Sequence, residues 1–354
     1  MRKLKFFSMK SLRFFTVALL LAFAAYYALE HSYRAYPVFT GKTMGTYYMV
    51  KINAPRVSRK VHRDIVKVLK KVNRQMSVFD KNSEISKINA APAGEWIKLS
   101  PEMSELFKTA GRIYKESNGS FDPTVGKLVD LWGFGPEQRR REPSAEEIAA
   151  VLPSVGFDKL EFTDDYTLLR KKAGDITINL SAIAKGYGVD RVAKLLKSMN
   201  FNDFVVDLGG EVRASGNRVG ETSGGWRVGV QEPDDSGRNA EILQLVDLSA
   251  ATSGDYRNYR EDGDGHRYAH TISATTGKPV ENNLASVTVL TENCIDADAY
   301  ATAVMAMGPE QGLAFAKKLK LPLIMLIRND KGDVDTLTSP AFKKYMKVLA
   351  NGKR

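Results

Sequence analysis

The 354-residue sequence predicts an α+β fold, and three observations carry that prediction. Short β-prone runs follow one another with no helix between them, at residues 204–207, 212–214, 226–231 and 243–248. Helical stripes stand apart instead of alternating with strands, as they would in a doubly wound sheet. No repeat or low-complexity segment interrupts the chain. An apolar fraction of 43% and a charged fraction of 26% belong to a globular protein. The length suits one large domain or two of ordinary size.

Residues 35–39 read as a short linker. Residues 47–52 (YYMVKI) are apolar and β-prone, a strand. Pro55 and Ser58 then lead into a helix on which Val61, Ile65, Val68, Leu69 and Val72 form one stripe. A second helix runs from Pro101, a residue suited to a first helical turn, to about Ser117, where Asn118-Gly119 ends it. Residues 136–143, rich in proline and charge, form an exposed loop. Ser144 caps a short helix, with Glu147 placed for a capping box. Two short strands with polar turns occupy residues 160–178, and a helix runs from near Ser181 to about Met199. Residues 286–290 are a strand, 295–307 an alanine-rich helix, and 323–328 the closing strand.

The net charge of +11 is not spread over the chain. Residues 1–40 hold six basic side chains against Glu30, and residues 341–354 hold five with no acid. The 300 residues between them carry only +1, so a nucleic-acid-binding face has no support. At the N-terminus a basic stretch, Met1 to Arg13, precedes sixteen uncharged residues, FFTVALLLAFAAYYAL. That is the layout of an export signal, and Ala22-Phe23-Ala24 offers a cleavage pattern. Sixteen residues is short of the roughly 20 that span a bilayer, so cleavage and retention as an anchor are both compatible with it. The division is then residues 1–34 as export signal or signal anchor and 35–350 as the working domain. The single cysteine, Cys294, permits no internal disulfide, and no cysteine follows the apolar stretch to carry a lipid.

Common nucleotide and metal motifs are absent. Gly41-Lys42-Thr43 lacks the earlier glycine of a phosphate loop, because that position is Tyr36. His31, His62, His266 and His270 have no zinc-protease spacing. Six polar or glycine-rich clusters stand out instead. Met44-Gly45-Thr46 precedes the first strand and reads as a tight turn or a close backbone approach to a ligand. Residues 118–126 (NGSFDPTVG) suit either a plain helix stop or a loop that stacks a planar ring and hydrogen-bonds its edge. Asn179 to Tyr187 (NLSAIAKGY) opens a helix with small residues, where a phosphate can meet free N–H groups. There Lys185 adds charge, or is a plain surface lysine. Asp207-Leu208-Gly209-Gly210-Glu211 holds a Gly-Gly pair, a bulge in preference to a ligand contact. Residues 252–259 and 268–272 concentrate hydroxyls and donors. Asp298 and Thr302 share a helical face, and a carboxylate with a hydroxyl suits Mg²⁺, which keeps waters and substrate phosphates as its other ligands. Asp296 points to another side.

In this order the segments MGTYYMV, MSVFDKNSEISKIN, NGSFDPTVGKLVDLWGFG, INLSAIAKGYGVDRV, VVDLGGEVRASG, WRVGVQEP, TSGDYRNYRE and DADAYATAVMAMG resemble the ApbE family of FAD:protein FMN transferases. The likeness runs from about Gly41 to Met307. It implies mixed or antiparallel sheets flanked by helices, with a flavin cleft between subdomains. It also implies an enzyme that binds FAD with Mg²⁺ and transfers the FMN half to a Thr or Ser hydroxyl of another protein, releasing AMP. Acceptors of the family are periplasm-facing subunits of membrane electron-transfer complexes such as Rnf and the sodium-pumping quinone reductase.

The resemblance also implies roles. Met44, Phe79, Ser120, Phe121, Asp122, Asn179, Lys185 and Ile272 stand at its FAD-binding positions, Phe79 where other members often have Tyr or Trp. Ala182, through its carbonyl, with Asp298 and Thr302 stands at its metal ligands. His270 matches its YxH histidine, and His270 and Asp298 are the candidate catalytic bases. One departure comes after that histidine: Ser273-Ala274 replace the family's Asp-Pro, which bears on the shape of this loop. Two rival functions use the same residues, an FAD pyrophosphatase giving FMN and AMP, and a non-catalytic periplasmic FAD-binding protein.

Overall fold

The computed structural model describes residues 16, 18–24, 26, 37–137, 141–218, 225–234, 236–255, 259–261 and 267–351. The basic stretch, Met1 to Arg13, and part of the apolar run at the N-terminus lie outside them. The described part of that run is helical, with Leu19, Leu20, Leu21, Phe23 and Tyr26 exposed. Among the described residues no helix is long and apolar enough to cross a membrane.

Extended pairing starts earlier than the sequence suggests. Val38 and Phe39 do not belong to a linker but open β1 (Val38–Thr43), which pairs with β2 (Thr46–Ile52) through the two-residue turn Met44-Gly45. Both turn residues have positive φ, 49° and 73°. Such a backbone matches the twist of a two-residue hairpin. The expected stripe forms α1 (Arg59–Met76): the Ser58 hydroxyl caps it, and Val61, Ile65, Leu69 and Val72 are its buried side. After α2 (Glu84–Ala90) and β3 (Ile97–Lys98) comes α3 (Pro101–Glu116), capped by Ser100 and ended by Asn118 and Gly119 at φ 51° and 80°. Next are α4 (Gly126–Leu131) and α5 (Ala145–Val151), the latter with the Ser144/Glu147 capping box in place. Then come β4 (Leu160–Phe162), β5 (Leu168–Lys171) and α6 (Ala184–Ser198). Residues 181–183 form a turn, so α6 begins three residues later than its sequence pattern indicates.

Hairpins dominate the second half of the chain. β6 (Phe204–Leu208) and β7 (Glu211–Ser215) pair in a continuous register that ends on Leu208 opposite Glu211. Gly209 and Gly210 are therefore the hairpin turn itself and not a bulge within a strand; their φ values of 65° and 105° are open to glycine. β8 (Trp226–Gln231) pairs with β9 (Asn239–Leu245), which starts earlier and ends sooner than the strand expected at 243–248, and a further strand, β10 (Ser249–Gly254), follows it. A small ribbon, β11 (Tyr259–Glu261) with β12 (Arg267–Ala269), precedes β13 (Leu284–Thr291). The long helix α7 (Cys294–Leu319) breaks at Gly308, followed by Pro309, which is where the sequence pattern ends it. β14 (Leu323–Arg328) is not the last strand: β15 (Val334–Thr338) and α8 (Pro340–Asn351) come after it.

The main sheet has eight strands in the order β1-β2-β6-β7-β10-β13-β14-β15, every neighbouring pair antiparallel. A smaller sheet, β3-β5-β4, lies beyond it. Helices α1 and α6 bury Ile65, Leu69, Val189 and Leu196 against Val50 and Val206. Helices α3 and α7 join the largest core with β13 and the small sheet, through Leu106, Phe107, Val304 and Leu284. The β8–β9 hairpin and Phe342 of α8 form another cluster with Val205, Leu290 and Leu326. Helices α4 and α5 hold a fourth around Leu128, Trp132, Ile148 and Ile272.

Candidate active site

Three separated stretches of chain meet at the N-terminus of α6. The meeting depends on a close helix crossing: a Cβ on Gly186 would stand 2.3 Å from the Cys294 carbonyl oxygen and 2.8 Å from the Asp298 Cβ. Glycine there lets α6 and the start of α7 touch backbone to side chain. The contact is cross-linked by hydrogen bonds. Asp190 of α6 accepts from the Cys294 and Ile295 N–H groups at 3.1 and 2.9 Å, serving as the cap that Asn293 does not provide. Asp298 of α7 accepts in return from the Gly186 N–H at 2.8 Å.

That last bond has a consequence for Ala182. In a regular helix the Gly186 N–H would bond the carbonyl four residues back. Here it turns to Asp298, and the Ala182 carbonyl is released from the helical ladder. Thr302, one turn beyond Asp298, lies 3.4 Å from the Ser253 hydroxyl of β10. The predicted oxygen set thus sits on α7 and the turn before α6, which the Gly186–Asp298 bond clips together.

Lys185 is not a surface lysine. Its ammonium forms an ion pair with Glu211, the residue after the Gly-Gly turn, and Glu211 is 1% exposed. Burial alone would push the Lys185 ammonium down; the charges of Glu211 and Asp298 outweigh it and hold it raised. Burial pushes the Glu211 carboxyl up to about 7, against the pull of Lys185, and the nearby Asp298 charge adds to the rise. Asp298 is raised for the same first reason, opposed by Lys185 and by the Gly186 N–H. Glu211 carries a role that no sequence reading gave it. The signal was an acid directly after Gly209-Gly210, but nothing local reveals that it faces a lysine 26 residues earlier.

This arrangement can be tested against a divalent cation. Two buried carboxylates stand by one lysine, which is paired with Glu211, and among the described residues the Glu211 Oε2 atom is buried with no hydrogen-bond partner. With both acids ionised the cluster carries one negative charge in excess and is one donor short, which a cation with its waters would complete. The Asp298, Thr302 and Ala182 donors are all oxygen, the chemistry of a hard ion such as Mg²⁺. Among the described residues no group of three or more His, Cys, Asp or Glu could hold a metal, so a soft, side-chain-saturated centre does not compete. The residues fit.

The remaining predicted residues divide. Met44 is at the β1–β2 turn, its sulfur 3.7 Å from where a Cβ on Gly188 of α6 would be, so it lies over the same helix start. Asn179 is tied to both neighbours: its N–H bonds the Pro123 carbonyl at 2.7 Å, and its side chain accepts from Ser181 at 2.9 Å. The 118–126 loop therefore runs beside the turn that starts α6. Within that loop Ser120 is half-buried, but Phe121 is 1% exposed and packed in the main core, so its ring stacks on no ligand. Asp122 spends Oδ1 on the Thr124 N–H and hydroxyl (2.8 and 2.6 Å) and Oδ2 on the Phe157 N–H (3.2 Å), which shapes the loop. Phe79, by contrast, is 61% exposed in the turn after α1, an aromatic face open to a ring.

His270 and Ile272 belong to the α4–α5 side. His270 meets the Phe134 ring edge-on at 6.5 Å between centroids, and Ile272 is buried among Leu128, Trp132 and Ile148. The Ser273-Ala274 departure keeps a closed turn. The Ser273 hydroxyl accepts from the Thr276 N–H at 3.2 Å, the Gly277 N–H bonds the Ser273 carbonyl at 2.9 Å, and the Trp132 indole donates to the Gly277 carbonyl at 2.7 Å. A serine oxygen here does what an aspartate oxygen does in such turns. Asp296 pairs with Arg112 at 2.5 Å on the far side of α7, away from the cluster.

An antiparallel α+β scaffold thus brings a lysine and two buried carboxylates together at a helix N-terminus. The chain belongs to the ApbE family, whose model matches residues 44–325. It is 40% identical over 313 residues to the FAD:protein FMN transferase of Vibrio cholerae serotype O1, covering 87% of this chain and 92% of that one. Among solved structures it is similar to the flavin transferase ApbE from Vibrio cholerae, with a TM-score of 0.79 at 37% identity over 88% of this chain and 99% of that one. It is also similar to the apo flavinyl transferase ApbE of Pseudomonas stutzeri, with a TM-score of 0.79 at 33% identity, 88% and 96% covered.

Proposed function

We propose that this chain transfers the FMN half of FAD to a Ser or Thr hydroxyl of an acceptor protein, releasing AMP. The observation that carries the reading is the Lys185–Glu211–Asp298 cluster at the start of α6, where two buried acids stand by one lysine and the Glu211 Oε2 atom has no hydrogen-bond partner among the described residues. In the transfer the acceptor oxygen bonds the FMN-side phosphorus, the bond from that phosphorus to the bridging oxygen breaks, and AMP leaves with that oxygen. Asp298, Thr302 and the Ala182 carbonyl would hold Mg²⁺, which would supply positive charge to the pyrophosphate oxygens. Lys185, fixed by Glu211, adds a second positive charge to those oxygens. Met44 and Phe79 flank the flavin ring, and Asn179 positions the loop beside it. With Asp298 committed to the Gly186 N–H and to the cation, the hydroxyl proton passes to His270.

The acceptor is a periplasm-facing domain of a membrane redox complex, and the chain reaches it by export through its N-terminal segment. The exposed apolar side chains Leu19, Leu20, Leu21 and Phe23 support that segment's insertion or recognition outside the folded domain. The test is direct: purified protein, FAD, Mg²⁺ and such a domain yield an acceptor heavier by one FMN, with one AMP per transfer. Release of FMN and AMP with no mass change on any acceptor would replace the transferase by a pyrophosphatase. FAD binding with no AMP would leave only a carrier.

A further inference from the structure

We propose that Glu211 is a positioning residue with two tasks: one carboxylate oxygen fixes the Lys185 ammonium, and the other accepts from a water on the cation held by Asp298. The inference rests on the reading that Asp298, Thr302 and Ala182 hold that cation.

Glu211 is presented rigidly. It opens β7 directly after the Gly209-Gly210 turn. The Gly209 N–H bonds the Tyr47 carbonyl at 3.0 Å, and the Gly210 N–H bonds Asp207 Oδ1 at 2.9 Å. The Thr46 side chain fills the space where a Cβ on Gly209 would be, at 2.7 Å, which locks this turn against the β1–β2 turn that carries Met44. The carboxylate therefore enters the site from a fixed backbone.

Its first task is separation. Lys185 is attracted by both Glu211 and Asp298. With Glu211 holding the ammonium, the Asp298 carboxylate keeps, among the described residues, only the Gly186 N–H as its bonded protein donor and stays available to a cation. Without Glu211 the lysine is drawn onto Asp298 and covers the ligand. The second task comes from the orphan atom. A buried carboxylate oxygen without a donor is costly, and Asp298 can only accept. Hard divalent ions keep several waters, and carboxylates outside the inner ligand set commonly orient such groups. Glu211 Oε2 is the acceptor for one.

The experiment uses the full chain with FAD and no acceptor, and Mn²⁺ as the probe, its binding read by calorimetric titration and by the paramagnetic signal of the free ion. Glu211→Gln is expected to weaken Mn²⁺ binding about 10–100-fold, while the unfolding midpoint of the metal-free protein at pH 7.5 stays level or rises. A lower midpoint with native Mn²⁺ affinity would mean a merely structural residue and overturns the proposal. In a Lys185→Met background, Glu211→Gln is expected to cost less than in the native one, because the separation task is already gone; equal cost in both overturns that task. If Glu211→Gln does not fold, the neutral pair Lys185→Met/Glu211→Gln is compared with Lys185→Met alone, and equal affinities overturn the water-acceptor task. Mn²⁺ binding retained by Asp298→Ala would sink the cation reading itself, independently of Glu211.

Discussion

Asp122 in the 118–126 loop and the Glu211–Asp298 pair beside α6 are both buried carboxylate sites, and they are built to opposite ends. Asp122 has its oxygens filled by Thr124 and Phe157, all within the protein. Glu211 pairs with Lys185 and Asp298 accepts from the Gly186 N–H, and among the described residues the second Glu211 oxygen has no partner. Burial raises all three carboxyls. A carboxylate whose bonds are all internal organises a loop, whereas one left short of donors is reserved for something that arrives later.

The contrast is broken most directly by Asp298→Ala, which should abolish Mg²⁺-dependent turnover in the FMN-transfer assay; unchanged rates would remove the difference between the two sites. Asp122→Ala should do the converse. It leaves the Thr124 and Phe157 donors unpaired, at about 1–3 kcal/mol of stability by denaturant titration, with Mn²⁺ affinity close to native; a large loss of metal binding would tie Asp122 to the cation as well. A pH series sharpens the contrast further. The Glu211 carboxyl is raised in the folded state from 4.5 to about 7, so the folded protein binds more protons across that window. Its contribution is then fully present below about pH 4.5 and lost as pH rises toward 7, on the order of 1 kcal/mol per pH unit at most. Thermal melts in chelator should show this slope, and Glu211→Gln should flatten it. The smallest effect belongs to the departure after His270. Ser273→Ala removes one turn bond and should cost about 1 kcal/mol or less, while Ser273→Asp should restore it; a large kinetic change in either would make that turn part of the site.

Much of this was legible in the residues. The Val61–Val72 stripe, the Ser144/Glu147 capping box and the helix that ends before Gly308 come from local rules of period, cap and breaker. The paired Asp298 and Thr302 were visible at helical spacing, and a carboxylate with a hydroxyl already suited Mg²⁺; the resemblance added the Ala182 carbonyl. What stayed hidden is non-local or unpatterned. β15 reads VDTLT with its first three residues exposed, so it lacks the apolar alternation that marks a strand. β10 is built of Ser, Ala, Thr and Gly, and becomes a strand through its neighbours β7 and β13. A Gly-Gly pair with positive φ serves a bulge and a hairpin turn equally well, and only the Leu208–Glu211 register separates them. Phe121 misled because an aromatic in a turn-rich loop looks solvent-facing until the opposing side of the core is known, and the same gap left Lys185 open between a charge for the site and a plain surface lysine.

The close crossing at Gly186 also sets when the site comes into being. Lys185, Glu211 and Asp298 come from three distant parts of the chain, joined only after β13 has paired and α7 has docked on α6. Closing such long loops is the slow, late part of assembling a fold rich in non-local pairs. Partly built chains therefore have no cluster with which to capture a metal or a nucleotide, and whatever binds there adds its stability only to the finished molecule. Ligand binding in this protein is a test of completed folding as well as the first step of its chemistry.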